Sequence, residues 1–263
     1  MIYKRSTLKG KAVFEGLGLH SGVPVRVIVR PSGDGILFRY GSQSWAASPA
    51  NVTDTRRCTK LGEISTVEHM MSALAGLEIT DADIEVSAPE LPAMDGSAAP
   101  FYEGLLAAGR EDLGEAERPS IFSRIFVPDG DAKIAISAGT GLWRYEFDTG
   151  ERWPGLQVFE TDDVVRDYRP RIAPARTFGF EEELPMIQAA GLAKGLDEES
   201  ALVLGKDGYL NEARCADEPV LHKMLDAIGD LYLAGIPIRF MNVVAIRTGH
   251  AATVKAAMML DDW

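Results

Sequence analysis

Val23-Pro-Val-Arg-Val-Ile-Val29 is a short apolar run that reads as a β-strand, and the Ser32-Gly-Asp-Gly35 stretch beyond it reads as a tight turn. Apolar runs at residues 13–14 and 36–40 extend the pattern on either side, so the chain opens as strands joined by glycine turns. Helical periodicity takes over at residues 65–76, where Val67, Met70, Met71 and Leu74 form an apolar face and Gly76 a stop. A strand at residues 84–87 and a helix at residues 101–108 follow. Residues 109–120 carry Arg110, Glu111, Asp112, Glu115, Glu117 and Arg118 before Pro119 and read as a linker. The second half repeats the order, with strands near residues 121–127, 133–137 and 143–147 and helical segments at 163–169 and 219–234. A last strand at residues 240–246 runs into a final helix from about residue 248 to residue 260. A further helix, strand and turn at residues 182–190, 201–204 and 209–210 are inserted between these elements. Strands and helices segregated in each half predict an α+β fold of two layers per domain. The expected domains are residues 1–114 and 115–263, the second with an insert at about 181–212.

The 263 residues suffice for one large domain or two small ones. A hydrophobic share of 46% and a charged share of 25% exclude collagen-like, low-complexity and wholly disordered classes. Lys and Arg total 27 against 39 Asp and Glu, a net charge of −12, and so acidic a surface repels nucleic acid. No apolar run approaches the roughly 18–20 residues of a membrane span. The start of the chain, Met1-Ile-Tyr-Lys-Arg-Ser-Thr-Leu-Lys9, has no secretory apolar core, and Cys58 and Cys215 show no CxxC spacing. A cytoplasmic protein with two unpaired thiols is expected.

Four histidines are present, His20, His69, His222 and His250. His222 and Asp226 stand four apart on a predicted helix and project from one face, where both can reach one metal ion, and Asp230 continues the stripe. Imidazole and carboxylate together suit Zn²⁺, with His69 and His250 available as a third ligand. The alternative for an isolated His-x-x-x-Asp is an ion pair on a solvated helix face. Ser65 and Glu68 fit a capping box, yet a glutamate beside a metal-binding histidine can also take a proton from water. His250, after Gly249 at the mouth of the last helix, is placed to act from a fixed backbone. Lys223 and Arg247 can stabilise an oxyanion or bind phosphate locally. No GxGxxG follows a strand, and neither a P-loop nor a G-x-S-x-G elbow occurs, so a nucleotide cradle of standard type and acyl-enzyme chemistry fall away.

Five segments occur together in order: Ile64-Ser-Thr-Val-Glu-His69, Met94-Asp-Gly-Ser-Ala-Ala-Pro-Phe101, Ala175-Arg-Thr-Phe-Gly-Phe180, His222-Lys-Met-Leu-Asp-Ala-Ile-Gly-Asp-Leu231 and Gly249-His-Ala251. In this the chain resembles the UDP-3-O-acyl-N-acetylglucosamine deacetylases, zinc amidases of lipid A biosynthesis, over nearly its whole length. The resemblance implies two α+β domains of similar fold packed helix layer to helix layer, with a small insert in each and the metal at their junction. It implies one Zn²⁺ on His69, His222 and Asp226, with Glu68 as general base. It further implies His250, oriented by Asp230, at the oxyanion or leaving amine, and Lys223 and Thr177 near the reacting oxygen. Phe178 and Phe180, with Lys223 and Arg247, are the expected substrate-binding residues. The implied partner is a small nucleotide-sugar substrate, bound by a monomer.

The chain also departs from the family's pattern. Residues 53–63, at the first insert, are compressed, and Asp148-Thr-Gly-Glu-Arg-Trp-Pro154 replaces an expected Asn-His-Pro element. Gly195-Leu-Asp-Glu-Glu-Ser200 stands where a Gly-Gly-Ser-aliphatic run lines the acyl passage, and Ala252 stands for an asparagine. Three carboxylates beside an alkyl chain are costly unless they turn outward or pair. This pattern also fits a deacetylase acting on another N-acetylated sugar or amide without a long acyl chain.

Overall fold

Strict in-out alternation builds the first sheet: Ala12 and Phe14 face inward on one strand, Val25, Val27 and Val29 on the next, while Arg26 stays in solvent. The computed structural model describes residues 1–118 and 124–261. Along the first half run β1 (Ile2–Leu8), β2 (Ala12–Leu17), β3 (Pro24–Arg30), β4 (Ile36–Tyr40), β5 (Gln43–Ala46), β6 (Val52–Asp54), β7 (Lys60–Leu61), α1 (Glu68–Gly76), β8 (Ala82–Val86) and α2 (Ala99–Ala108). After β9 (Arg110–Glu117), the second half comprises β10 (Ile125–Asp129), β11 (Ala132–Ala138), β12 (Trp143–Asp148), β13 (Leu156–Thr161), α3 (Val164–Asp167), β14 (Phe178–Phe180), α4 (Leu184–Ala189), β15 (Leu202–Leu204), α5 (Glu218–Tyr232), β16 (Met241–Ile246) and α6 (His250–Asp261).

The repeat read from the sequence is a repeat of topology. The sheets run β2-β3-β8-β4-β5 and β10-β11-β16-β12-β13, each with a central strand antiparallel to one neighbour and parallel to the other. Each central strand lies between two helices in sequence, α1 and α2 around β8, α5 and α6 around β16. Helices α2, α5 and α6 cover their own sheets, as where Phe101 of α2 meets Phe14 of β2 edge-to-face at 5.1 Å, and α1 packs on α2 and on α5. The result is the α+β arrangement expected, sheet, helices, helices, sheet, with β6–β7 and the β14–β15 region as inserts.

Two expectations need correction. Most of residues 109–120 form β9, paired antiparallel with β1 from Ile2↔Glu117 to Leu8↔Arg110, rather than a linker. Nearly every β9 side chain is exposed, so the strand carries no burial periodicity that a sequence reading could detect. The strand expected at residues 121–127 falls partly outside the described residues, and its described part begins at Ile125.

Buried all round, α1 and every residue of α5 except Lys223 form the centre of the molecule. Their crossing is close because α5 carries Gly229: a Cβ there lies 2.1 Å from the Glu68 carbonyl oxygen. Gly229→Ala forces the helices apart and is expected to cost about 1–3 kcal/mol, seen as a fall in Tm. An unchanged Tm would show that the crossing has room to spare.

Candidate metal centre and its cavity

From α5, His222 and Asp226 project one turn apart into the α1 crossing, and α1 supplies Glu68 and His69 from its first turn. His69 Nε2 lies 3.7 Å and His222 Nε2 3.5 Å from Asp226 Oδ1. The ligand atoms of these three buried residues all fall within 4.8 Å of one another. His222 Nδ1 donates to the Ala175 carbonyl at 3.0 Å, and since that partner only accepts, the proton sits on Nδ1 and the Nε2 lone pair faces Asp226. Burial pushes the His222 pKa down to about 4, keeping the ring neutral as a ligand must be. Asp226 is ionised: burial opposes its charge, but His222 and Lys223 outweigh burial and hold its carboxyl well below the usual range. The set fits a divalent cation such as Zn²⁺.

His250, the other candidate third ligand, is engaged elsewhere. Its Nδ1 lies 2.9 Å from Asp230 Oδ2, and its Nε2 stands 4.0 Å from both Glu68 Oε1 and Asp226 Oδ2. Burial disfavours its charge, yet Asp230 and the other two carboxylates raise it to about 9, so it is protonated at neutral pH. Asp230 is fixed by hydroxyl donors, Thr59 Oγ1 at 2.5 Å and Thr253 Oγ1 at 2.6 Å. The backbone N–H of Thr59 also donates to Glu68 Oε2 at 3.0 Å. Glu68 therefore does not cap its helix: Ser65 N bonds the Pro89 carbonyl, and no side chain caps α1. Burial raises the Glu68 pKa above the ordinary carboxylate value.

These groups open into a cavity of about 580 Å³. Thr177, Phe178 and Lys223 line it near the carboxylates, and Leu184, Ile187 and Leu202 extend an apolar wall from the second insert. Lys223 Nζ binds Asp226 Oδ2 at 2.9 Å and lies 5.5 Å from the Phe178 ring centre. Phe180 and Arg247 stand outside this lining. Phe180 lies under the Arg152 guanidinium at 3.3 Å, and Arg247 sits 3.8 Å from Asp148. Residues 197–199 are all exposed, Asp197 and Glu198 also line the cavity, and Asp197 accepts from Ser200 N at 2.9 Å and Ser200 Oγ at 2.7 Å. Cys58 and Cys215 are free, the buried Cys58 thiol pushed up to about 12 by burial and by Glu68.

A sequence model of the UDP-3-O-acyl N-acetylglycosamine deacetylases matches residues 5–262. The chain belongs to that family. It is 37% identical over 266 residues to the UDP-3-O-acyl-N-acetylglucosamine deacetylase of Geotalea uraniireducens, covering 95% of this chain and 86% of that one. The Phenylobacterium zucineum enzyme of the same name is 38% identical, covering 98% and 94%, and that of Haemophilus influenzae 38%, covering 96% and 88%. The family is one of deacetylases, hydrolases of an amide bond.

Thr59 escapes a reading of this family's sequence motifs because its partner Asp230 lies 171 positions away. So does the pair Arg176–Glu218. Glu218, at the start of α5, accepts from Arg176 N at 3.0 Å, Arg176 Nε at 2.9 Å and Arg214 N at 2.7 Å, tying the segment that receives the His222 ring to the helix that carries it. Burial raises the Glu218 pKa, but its bonds to Arg176 win and hold it below the ordinary value. Glu218→Gln leaves the buried Arg176 charge unpaired and is expected to cost about 3–5 kcal/mol. A depressed carboxyl stabilises above its unfolded pKa of about 4.3 and loses that contribution as pH falls. Denaturation curves should therefore show the full difference between the proteins at neutral pH and a narrowing gap below about pH 4. A gap independent of pH contradicts this.

Proposed function

We propose that this protein is a zinc-dependent deacetylase that removes the N-acetyl group of UDP-3-O-acyl-N-acetylglucosamine in lipid A biosynthesis, acting as a cytoplasmic monomer with one catalytic ion per chain. The observation that carries the reading is the convergence of His69, His222 and Asp226 beside two further groups, Glu68 and His250, all lining one cavity with an apolar wall. No helix among the described residues is long and apolar enough to cross a membrane. The two sheets support a division near residue 114 into two units of like topology.

The zinc ion, when bound, supplies Lewis-acid polarisation of the acetyl carbonyl and eases deprotonation of water. Glu68, one oxygen fixed by Thr59 N–H and the other facing His250, takes the proton of the attacking water, and its raised pKa strengthens it as a base. The water oxygen adds to the acetyl carbon, and Lys223 and Thr177 face the oxyanion that forms. His250, protonated and aligned by Asp230, delivers its Nε2 proton to the amide nitrogen as the C–N bond breaks, releasing acetate and the amine. Glu68→Gln is expected to lower kcat by about 10²–10⁴ while the protein keeps its metal. Undiminished turnover in that variant rejects Glu68 as the base and favours a non-catalytic site.

One observation favours a second reading of the substrate. Asp197 and Glu198 border the cavity, so an amide without a long acyl chain also suits it. Acetate release from UDP-3-O-acyl-N-acetylglucosamine and from the unacylated nucleotide sugar separates the two. Preference for the acylated compound is expected; equal or better turnover of the unacylated one selects the second reading, and turnover of neither contradicts both.

A further inference from the structure

Thr59 joins the two groups that move protons in the mechanism above. It stands in the first insert between β6 and β7, wholly buried. Each of its three polar groups has a partner in or beside the metal centre. The N–H donates to Glu68 Oε2 at 3.0 Å, the hydroxyl donates to Asp230 Oδ1 at 2.5 Å, and the carbonyl accepts from Val67 N, at the head of α1, at 3.2 Å. The hydroxyl oxygen also lies 3.2 Å from His250 Nδ1. Glu68 belongs to α1 of the first half, Asp230 and His250 to α5 and α6 of the second, so one residue bridges the helix crossing.

Donor counting gives the contact with His250 a direction. A hydroxyl carries one proton, and here the Asp230 carboxylate takes it. Toward His250 Nδ1 the Thr59 oxygen therefore presents a lone pair, as does Asp230 Oδ2 at 2.9 Å, and both call for a proton on that nitrogen. Held in this way, the ring sets its Nε2 toward Glu68 Oε1 and Asp226 Oδ2, each 4.0 Å away. Thr253 Oγ1 steadies Asp230 from α6 at 2.6 Å, whereas Thr59 brings its constraint from the other half of the chain. The insert is well anchored at this point. Leu61, two residues on, is wholly buried and exchanges N–H···O bonds with Ile64 at 2.8 and 2.9 Å, and Thr53 Oγ1 donates to the Gly62 carbonyl at 2.7 Å.

We propose that Thr59 is a positioning residue that holds the general base and the general acid in register across the α1–α5 crossing, its amide fixing Glu68 and its hydroxyl fixing the His250–Asp230 pair. The assignment rests on the deacetylase reading above. Thr59 contacts neither His69, His222 nor Asp226 through these bonds, so loss of its hydroxyl leaves the metal ligands in place and slows the proton transfers alone. Displacement of a catalytic group by about 1 Å is enough to cost about 100-fold in rate.

The test compares zinc-loaded Thr59→Val and Thr59→Ser with the parent protein. Valine keeps the amide and the shape and deletes the hydroxyl; serine restores it. Thr59→Val is expected to lower kcat for UDP-3-O-acyl-N-acetylglucosamine by about 10–100-fold with KM and zinc content unchanged, and Thr59→Ser to recover most of that loss. In an Asp230→Asn background Thr59→Val is expected to add little, because the hydroxyl acts through that carboxylate. Proton NMR of the zinc-loaded protein supplies a readout that needs no turnover. The His250 Nδ1 proton is expected as a downfield resonance in the parent and Thr59→Ser proteins and displaced in Thr59→Val. Unchanged kcat, a loss carried by KM alone, an equal loss in the Asp230→Asn background, or an unmoved resonance overturns the role of Thr59. A parent protein that releases no acetate overturns the deacetylase reading instead, and the NMR comparison then decides whether Thr59 orders His250. Should Thr59→Val not fold, Thr59→Ala carries the same expectations.

Discussion

Everything at the centre depends on how closely α5 crosses α1. At Gly229 the two backbones meet with no room for a side chain; Asp226 lies about one turn before that contact on α5, and Asp230 directly follows it. The crossing sets Asp226 against His69 and Asp230 against His250, so groups from both halves share one small volume. A second tight contact serves the same end from the loop before α2. Gly96, at φ 79°, approaches the Ser200 carbonyl so closely that no Cβ fits, and its own carbonyl accepts from Thr177 N at 2.8 Å.

Such a crossing buries three carboxylates, Glu68, Asp226 and Asp230, together. Burial of that much negative charge is costly unless it is paired. The structure divides the load. Asp230 is held by two hydroxyls and the His250 cation, Asp226 by Lys223, and Glu68 by a single backbone N–H with its pKa raised. A divalent cation held by the remaining Asp226 oxygen and the rings of His69 and His222 would complete the balance, so electrostatic need and chemical capability point the same way.

Much of this was legible in the sequence. Residues four apart on one helix must share a face, so His222, Asp226 and Asp230 were readable as a unit, and the similar order of strands and helices in the two halves foretold two sheets of one topology. Which histidine completes the metal set was open on spacing alone, and three-dimensional proximity separates His69, beside Asp226, from His250, bound to Asp230. Ser65 and Glu68 matched a capping box because the signature is local, whereas the partner that engages Glu68, the Thr59 amide, comes from a neighbouring insert. Strand β9 escaped notice because an exposed edge pairing leaves no apolar alternation. His20 was visible as a histidine but not as a group without partners, since that is a property of the packed structure.

The central claim is that this crossing makes a single metal centre from both halves of the chain. An anomalous diffraction map at the zinc absorption edge, from crystals of zinc-loaded protein, tests it most directly. The account predicts one strong peak bounded by Nε2 of His69, Nε2 of His222 and Oδ1 of Asp226. A peak that excludes His69, or no peak within reach of the α1–α5 crossing, contradicts it.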